Sequence, residues 1–341
     1  SYNIAINGYG RIGRCILRAL YERRSTCLLE PVAINDLMSP DHIEYLTRFD
    51  STHGLFPAEI ALNNKTLLIN NKAIQLFSAE SPELIDWQSF SCDLLLECSG
   101  KFVDRKQGEH FLQAGAPRIL FSQPLSDQNQ VDKTIIYGIN QATINRNDQL
   151  VSSGSCSTNC AVPLVKILDD VLGLEQLSIT TIHSAMHDQP VLDAFHHQDL
   201  RKNRSATQSL VPVDTGLARG IERLLPHLAG RIQAKSIRAP VINVSCLDMT
   251  FWTKTATNEE GVNQLLSNFS KSDEWSGILA YTERLQVSCD FNHNPHSAII
   301  DGTQTQVTGG RMISILAWFD NEWGFANRML DVAEYWLDNF K

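Results

Sequence analysis

The sequence predicts an α/β chain of two domains, a doubly wound parallel sheet followed by an α+β domain with a mainly antiparallel sheet. Three observations predict it. The chain has 341 residues, more than one hydrophobic core usually serves. Its first half alternates short β-branched runs with helical stretches, the pattern of parallel strands covered on both faces by helices. After the helical stretch that follows Cys156, the strand-like runs become longer and more antiparallel in character. We place the first domain at 1–155, completed by a C-terminal helix within 320–341, and the second at 156–319.

In order, strands are predicted at Asn3 to Asn7 and Pro31 to Asn35, with helices at Arg11 to Arg24 and Asp41 to Arg48. Further strands follow at Lys65 to Ile69, Ile74 to Phe77, Asp93 to Cys98, Ile119 to Ser122 and Ile135 to Gly138. Asp93-Leu94-Leu95-Leu96-Glu97-Cys98 is apolar throughout its centre, as a strand buried on both faces requires. The second domain begins with a helix that starts at Cys156 and carries its apolar periodicity from Ala161 to Leu172. Its strands are predicted at Ser178 to Ile182, Ile237 to Arg238, Ile242 to Phe251, Leu285 to Asp290 and Met312 to Phe319. Phe195 to Gly216 is polar and lacks periodicity, so it is expected to be functional or packed against another subunit. Asn327 to Phe340 reads as an amphipathic helix with Met329, Leu330, Val332, Ala333 and Leu337 available for one face, returning to the first domain.

Composition narrows the class. With 43% hydrophobic and 20% charged residues the chain is an ordinary soluble globular protein. A net charge of -9 argues against nucleic acid or a membrane surface as partner, because binding phosphate arrays needs clustered excess Lys and Arg. The eight cysteines lack any Cys-x-x-Cys pair, so we expect reduced thiols, no metal site and a cytoplasmic location. We expect no signal segment from the strand-like opening, and no apolar run approaches the length of a membrane span.

Two sequence features carry chemistry. Gly8-Tyr9-Gly10-Arg11-Ile12-Gly13 lies between a strand and a helix, and Asp36 ends the next strand, which is the context of a Rossmann-type dinucleotide site. The glycines let backbone approach a pyrophosphate, and Asp36 accepts hydrogen bonds from ribose hydroxyls. An acidic residue there repels a 2′-phosphate, so NAD is expected over NADP despite Arg11 and Arg14 nearby. The second feature is Cys156, at the start of a helix, where unpaired N–H groups and the helix dipole favour thiolate. His183, ending the strand Ser178 to Ile182, is the candidate base, ahead of His187, His196, His197, His293 and His296 in polar segments. A nucleophilic thiol and a redox cofactor together imply covalent aldehyde oxidation: addition to the carbonyl, hydride loss from the hemithioacetal, and a thioester released by water or phosphate. The backbone N–H of Cys156 and His183 are the groups to stabilise the oxyanion. Cys160, one turn inside the helix, reads as a buried apolar residue. A fold kept without chemistry is the remaining alternative, and the retention of both Cys156 and His183 argues against it.

Asn7-Gly8-Tyr9-Gly10-Arg11-Ile12-Gly13-Arg14, Ser155-Cys156-Ser157-Thr158-Asn159-Cys160, Arg238-Ala239-Pro240-Val241-Ile242-Asn243-Val244-Ser245 and Trp318-Phe319-Asp320-Asn321-Glu322-Trp323-Gly324 resemble the glyceraldehyde-3-phosphate dehydrogenase superfamily from end to end. The resemblance implies that Cys156 is the nucleophile and His183 its base. It also implies cofactor contacts from Gly8, Gly10, Arg11, Ile12, Gly13, Asp36, Ser122 and Asn321, the last holding the nicotinamide carboxamide. Substrate contacts are implied for Ser155, Ser157, Arg204, Thr215, Gly216 and Arg238, together with a homotetramer. Thr180 to Gln189, Val211 to Thr215 and Asp290 to Thr305 resemble the branch that acts on D-erythrose 4-phosphate in pyridoxal 5′-phosphate biosynthesis. That branch hydrolyses its thioester to 4-phosphoerythronate; the alternative is the phosphorylating glycolytic activity on glyceraldehyde 3-phosphate. Met186 stands where glycolytic members carry a threonine, and loss of that donor to a charged phosphate costs roughly 1.5 to 3 kcal/mol. Ser153 stands where the superfamily commonly has asparagine, while Gly216 follows Thr215 as in glycolytic members.

Overall fold

The computed structural model describes residues 1–23, 26–196 and 198–340. Contacts divide the chain into Ser1–Ser155 with Ala326–Lys341, and Cys156–Phe325.

The first unit is built from β1 (Tyr2–Asn7), α1 (Arg11–Glu22), β2 (Leu29–Asn35), α2 (Pro40–Arg48), the two-residue strands β3 (Phe49–Asp50) and β4 (Gly54–Leu55), β5 (Ile60–Asn63), β6 (Thr66–Ile69), β7 (Lys72–Phe77), β8 (Leu94–Glu97), α3 (Arg105–Gln113), β9 (Ile119–Phe121), β10 (Lys133–Thr134) and β11 (Leu150–Ser152). Among the described residues its main sheet has the order β10-β11-β9-β8-β1-β2-β7-β6-β5. Every pairing from β10 to β7 is parallel, and the β7-β6-β5 edge is antiparallel. All four residues of β8 are buried, because it lies at the centre of the parallel run. Trp87, Phe111 and Phe121 fill the core on that side.

The sequence placed a strand at Ile135 to Gly138, and the structure moves it to Lys133–Thr134. Ile135 and Ile136 are fully buried, which explains the apolar signal. Asn140 intercepts the ladder, its Oδ1 accepting the Ile136 N–H at 2.8 Å while its Nδ2 donates to the Thr134 carbonyl at 2.8 Å.

The second unit comprises α4 (Cys156–Leu172), β12 (Leu174–His183), β13 (Val211–Val213), α5 (Leu217–Leu224), β14 (Ile232–Arg238), β15 (Ser245–Thr253), α6 (Glu259–Ser270), β16 (Leu279–Thr282), β17 (Ala298–Thr308) and β18 (Met312–Phe319). The sheet order is β13-β14-β12-β15-β18-β17-β16, antiparallel at four junctions and parallel at β14-β12 and β17-β16. Leu285 to Asp290 is not a strand. Leu285 is 92% exposed and the Asp290 carboxylate accepts the Val287 N–H at 2.8 Å, closing a 3-10 turn over Ser288–Phe291. The strand there is β17, whose polar Asp301-Gly302-Thr303-Gln304 stretch hid it from pattern reading. The strand expected from Ile242 starts at Ser245, because Val244 turns the backbone to φ +69°.

The last helix, α7 (Trp323–Asn339), enters the first unit from Ala326. Met329, Leu330, Val332, Ala333 and Leu337 are all buried. Arg23 fastens it through Asn327 Oδ1 at 2.8 Å and Asp331 at 2.7 Å. Among the described residues no helix is long and apolar enough to cross a membrane.

Glu97, at the end of β8, is fully buried, and burial raises its carboxyl to about 7 despite hydrogen bonds from Ser99 and Asn7. A carboxyl raised on folding binds its proton more tightly in the native state, so its contribution to stability falls as pH rises between the ordinary range and about 7. Glu97→Gln is expected to remove that slope, roughly 3 kcal/mol across the window. Denaturant midpoints measured from pH 5 to 8 on both proteins check it, and parallel curves would count against it.

Candidate active site

In the first unit, the turn from β1 into α1 shows three distinct demands on glycine. Gly8 has φ +88°, and a Cβ there would lie 2.4 Å from the Ser99 nitrogen. A Cβ on Gly13 would lie 2.4 Å from the Gly8 carbonyl oxygen, so this glycine lets the helix pack on the strand. A Cβ on Gly10 would meet nothing within 4 Å, leaving open space before the α1 N-terminus, which carries no acidic residue in its first turn. Tight turn, open approach and close packing are the conditions for a pyrophosphate on a helix N-terminus, so these residues fit a dinucleotide. Asp36 is half-buried and accepts the Tyr9 N–H at 2.7 Å and the Met38 N–H at 3.0 Å, which fixes the carboxylate beside the turn. Arg11 is paired with Asp50 at 2.5 Å, and Arg14 donates to the Tyr9 carbonyl at 2.9 Å. Both therefore have internal partners, and the carboxylate of Asp36 sets the local preference against a 2′-phosphate. Ile12 lies in the first turn of α1. Ser122, just past β9, donates its N–H to the Glu97 carbonyl at 2.9 Å.

Cys156 opens α4, reached through a turn in which Gly154 adopts φ +67° and donates its N–H to Ser152 Oγ at 3.0 Å. Its Sγ lies 3.8 Å from His183 Nε2 and 4.0 Å from Ser157 Oγ. His183 ends β12, and its Nδ1 is 2.8 Å from the Ser184 carbonyl oxygen. A carbonyl only accepts, so Nδ1 carries the proton and the neutral ring leaves the Nε2 lone pair facing the thiol.

The electrostatics correct one expectation. Burial holds the imidazole below its ordinary range, and Arg238 acts in the same direction. Burial also pushes the Cys156 thiol up to about 11, outweighing the hydrogen bonds from Ser157 and from its own backbone N–H. The helix N-terminus thus acts as the sequence implies, yet desolvation wins. The resting pair is a thiol facing a neutral base, poised for proton transfer on attack.

The parallel register of β12 and β14 sets His183 opposite Arg238. Arg238 is 6% exposed. Its Nη1 donates to Asp188 Oδ1 at 2.6 Å and Gln189 Oε1 at 3.2 Å, and its Nη2 reaches Asp188 Oδ2 at 3.3 Å and Met186 Sδ at 3.4 Å. Lys202 Nζ also lies 3.2 Å from Asp188. Burial raises the Asp188 carboxyl, but Arg238 and Lys202 together hold it below its usual range.

Asn321 precedes α7, and its Oδ1 accepts from Ser184 Oγ at 3.0 Å and Ser245 Oγ at 2.9 Å. Its neighbour Asp320 is buried and accepts four donors, Asn243 Nδ2 and the backbone N–H groups of His293, Glu322 and Trp323, between 2.7 and 3.0 Å. Ser245 follows Val244, a buried β-branched residue at positive φ, a conformation that costs on the order of 1–3 kcal/mol.

Other predicted residues fall further out. Arg204 is exposed and pairs with Asp193 at 2.8 Å. Thr215 Oγ1 accepts the Leu217 N–H at 3.2 Å, with Gly216 at the cap of α5. Ser155 is half-buried at the α4 start. His187 is exposed, His293 stacks on Trp323 with centroids 3.7 Å apart, His296 Nδ1 is 2.8 Å from Asn294 Oδ1, His196 Nδ1 accepts backbone N–H groups at 3.2 Å, and His197 lies outside the described residues. Cys160 is fully buried, and among the described residues no disulfide joins any of the eight cysteines. Sequence reading assigned no role to Asp188, Gln189, Lys202, Ser184, Ser245 or Asp320; their spacing gave no periodic signal, and only strand register and loop closure bring them to the site.

Residues 2–105 match the family model described as glyceraldehyde 3-phosphate dehydrogenase, NAD binding domain. Residues 155–321 match that described as glyceraldehyde 3-phosphate dehydrogenase, C-terminal domain.

With the thiol at about 11, alkylation of Cys156 by iodoacetamide is expected to accelerate roughly tenfold per pH unit from 7 to 10. Peptide-resolved mass spectrometry separates it from exposed Cys289. A rate already level at pH 6 would mean a resting thiolate.

Proposed function

Because the chain belongs to the glyceraldehyde 3-phosphate dehydrogenase family and is an NAD-dependent oxidoreductase, we propose that it is a D-erythrose-4-phosphate dehydrogenase. On this reading it forms 4-phosphoerythronate for pyridoxal 5′-phosphate biosynthesis, as a cytoplasmic homotetramer. His183 Nε2 takes the Cys156 proton as Sγ adds to the aldehyde carbon, and the Cys156 N–H and the imidazolium face the developing oxyanion. The imidazolium passes its proton to that oxygen and takes it back as the carbonyl re-forms. Gly8 to Gly13, Asp36 and Ser122 would hold NAD, with Asn321 the residue that the resemblance implies for its carboxamide, and the bound cofactor would supply the acceptor for the hydride lost from the hemithioacetal. With its proton released to solvent, His183 deprotonates water, which attacks the thioester; the C–S bond breaks and Cys156 is regenerated.

The observation that carries the reading is Met186, whose thioether rests 3.4 Å from Arg238 Nη2 where the glycolytic resemblance calls for a phosphate-holding hydroxyl. A thioether offers no hydrogen to a phosphate, so a three-carbon substrate loses a contact there. One observation favours the phosphorylating alternative. Gly216 carries the glycolytic residue, and its Cβ position is open to within 3.9 Å of Arg219. Tetramer formation is supported by Phe195, Leu200 and Leu210, all at least 70% exposed in the segment expected to meet another subunit.

NADH formation measured with erythrose 4-phosphate and with glyceraldehyde 3-phosphate, each with and without inorganic phosphate, decides between the two. Phosphate-independent turnover of the four-carbon substrate is expected, and strong phosphate-dependent turnover of the three-carbon one would sink the reading. Met186→Thr is expected to raise kcat/KM for glyceraldehyde 3-phosphate by roughly tenfold.

A further inference from the structure

We infer that Ser184 and Ser245 are positioning residues that hold the side-chain amide of Asn321 oxygen-inward, so that it offers a cofactor hydrogens only; this rests on the reading of Asn321 as the carboxamide residue. Both serines are buried, and both hydroxyls reach one atom, Asn321 Oδ1, at 3.0 Å from Ser184 and 2.9 Å from Ser245. A third bond fixes their direction. The Ser184 backbone N–H, which can only donate, reaches Ser245 Oγ at 3.0 Å, so that oxygen accepts there and its own hydrogen is left for Asn321. Turned the other way, the amide would give its hydrogens to both serines, and two buried hydroxyl hydrogens would have no acceptor among the described residues. Asn321 Nδ2 has no partner among the described residues, so its two hydrogens remain for a ligand.

Ser184 serves two groups at once. Its carbonyl accepts the His183 Nδ1 proton at 2.8 Å, while its hydroxyl orders the amide, and only the second contact is lost in Ser184→Ala. Ser245 is held by the sheet, paired with Phe319 across β15 and β18, two residues before Asn321. Without the two hydroxyls the amide turns between two orientations, and a ligand that needs one of them binds more weakly by the fraction lost to the other. The consequence is selectivity for an atom. A carbonyl oxygen facing Nδ2 is held, and an amino group facing it is not. Two dinucleotide analogues separate these cases: the 3-acetylpyridine form keeps the oxygen and replaces the amino group by methyl, and the thionicotinamide form keeps the amino group and replaces the oxygen by sulfur, a weak acceptor.

The test titrates the intact chain, freed of nucleotide, with NAD, the two analogues and ADP-ribose by calorimetry. Wild type is expected to bind the acetylpyridine form within about twofold of NAD and roughly fivefold more tightly than the thionicotinamide form. Ser184→Ala combined with Ser245→Ala, confirmed folded by circular dichroism, is expected to bring the two analogues within about twofold of each other and to leave ADP-ribose, which lacks the nicotinamide, unchanged. The pH dependence of Cys156 alkylation is expected to stay as in wild type, because the Ser184 carbonyl is retained. A folded double variant that keeps the wild-type preference overturns the role of the serines, as does a loss shared equally by ADP-ribose or a shifted alkylation profile. Asn321→Ala is expected to weaken NAD relative to ADP-ribose; an unchanged ratio overturns the reading of Asn321 instead. Should the serine variants fail to fold, wild type still decides: with Asn321→Ala behaving as expected, equal or reversed binding of the two analogues overturns the oxygen-inward amide.

Discussion

The register between β12 and β14 is the constraint on which the chemistry of the second unit depends. Those strands run parallel, so their C-terminal ends finish together, and His183 and Arg238 finish opposite each other. A slip of one residue would turn both side chains to the other face of the sheet. On its other side β12 is locked antiparallel to β15, which begins at Ser245 and brings its hydroxyl to Asn321. One strand thus fixes His183, the arginine opposite it in register and, through Ser245, the side chain of Asn321. The loop after His183 adds Met186, Asp188 and Gln189 to the same corner.

Opposed forces act on the Cys156 thiol, and burial outweighs the rest. Helix-terminal N–H groups and the Ser157 hydroxyl favour thiolate, and desolvation favours thiol. A polar aldehyde and its developing charge change that balance only once they arrive. The neutral imidazole has the same logic, because its Nδ1 is committed to a backbone carbonyl that never moves a proton. On the proposed reading, the thiol gains its reactivity when a carbonyl is in place.

Much of this was legible in the sequence. The strand, glycine turn, helix and Asp36 were readable because each local step obeys its own short-range rule, and the structure shows the three glycines in three separate roles. Cys156 was readable from its place before an apolar helix, and α7 from its spacing of apolar residues. Asn140 was not, since a side chain capturing its neighbours' backbone groups leaves no periodic trace, and neither was β17, which carries a polar interruption. Asp188 was invisible for a different reason. Its partner lies 50 residues away along the chain, and only sheet register joins them.

Val244 stands between Asn243, which bonds Asp320, and Ser245, which bonds Asn321. It is held at positive φ by burial against Phe291 and Ile299. Selection for heat resistance alone would find this residue an easy target, since glycine or asparagine adopts that backbone more readily. The same relief would loosen the joint that aims the neighbouring side chains of Asp320 and Asn321. Durability and accuracy therefore pull against each other at this one peptide.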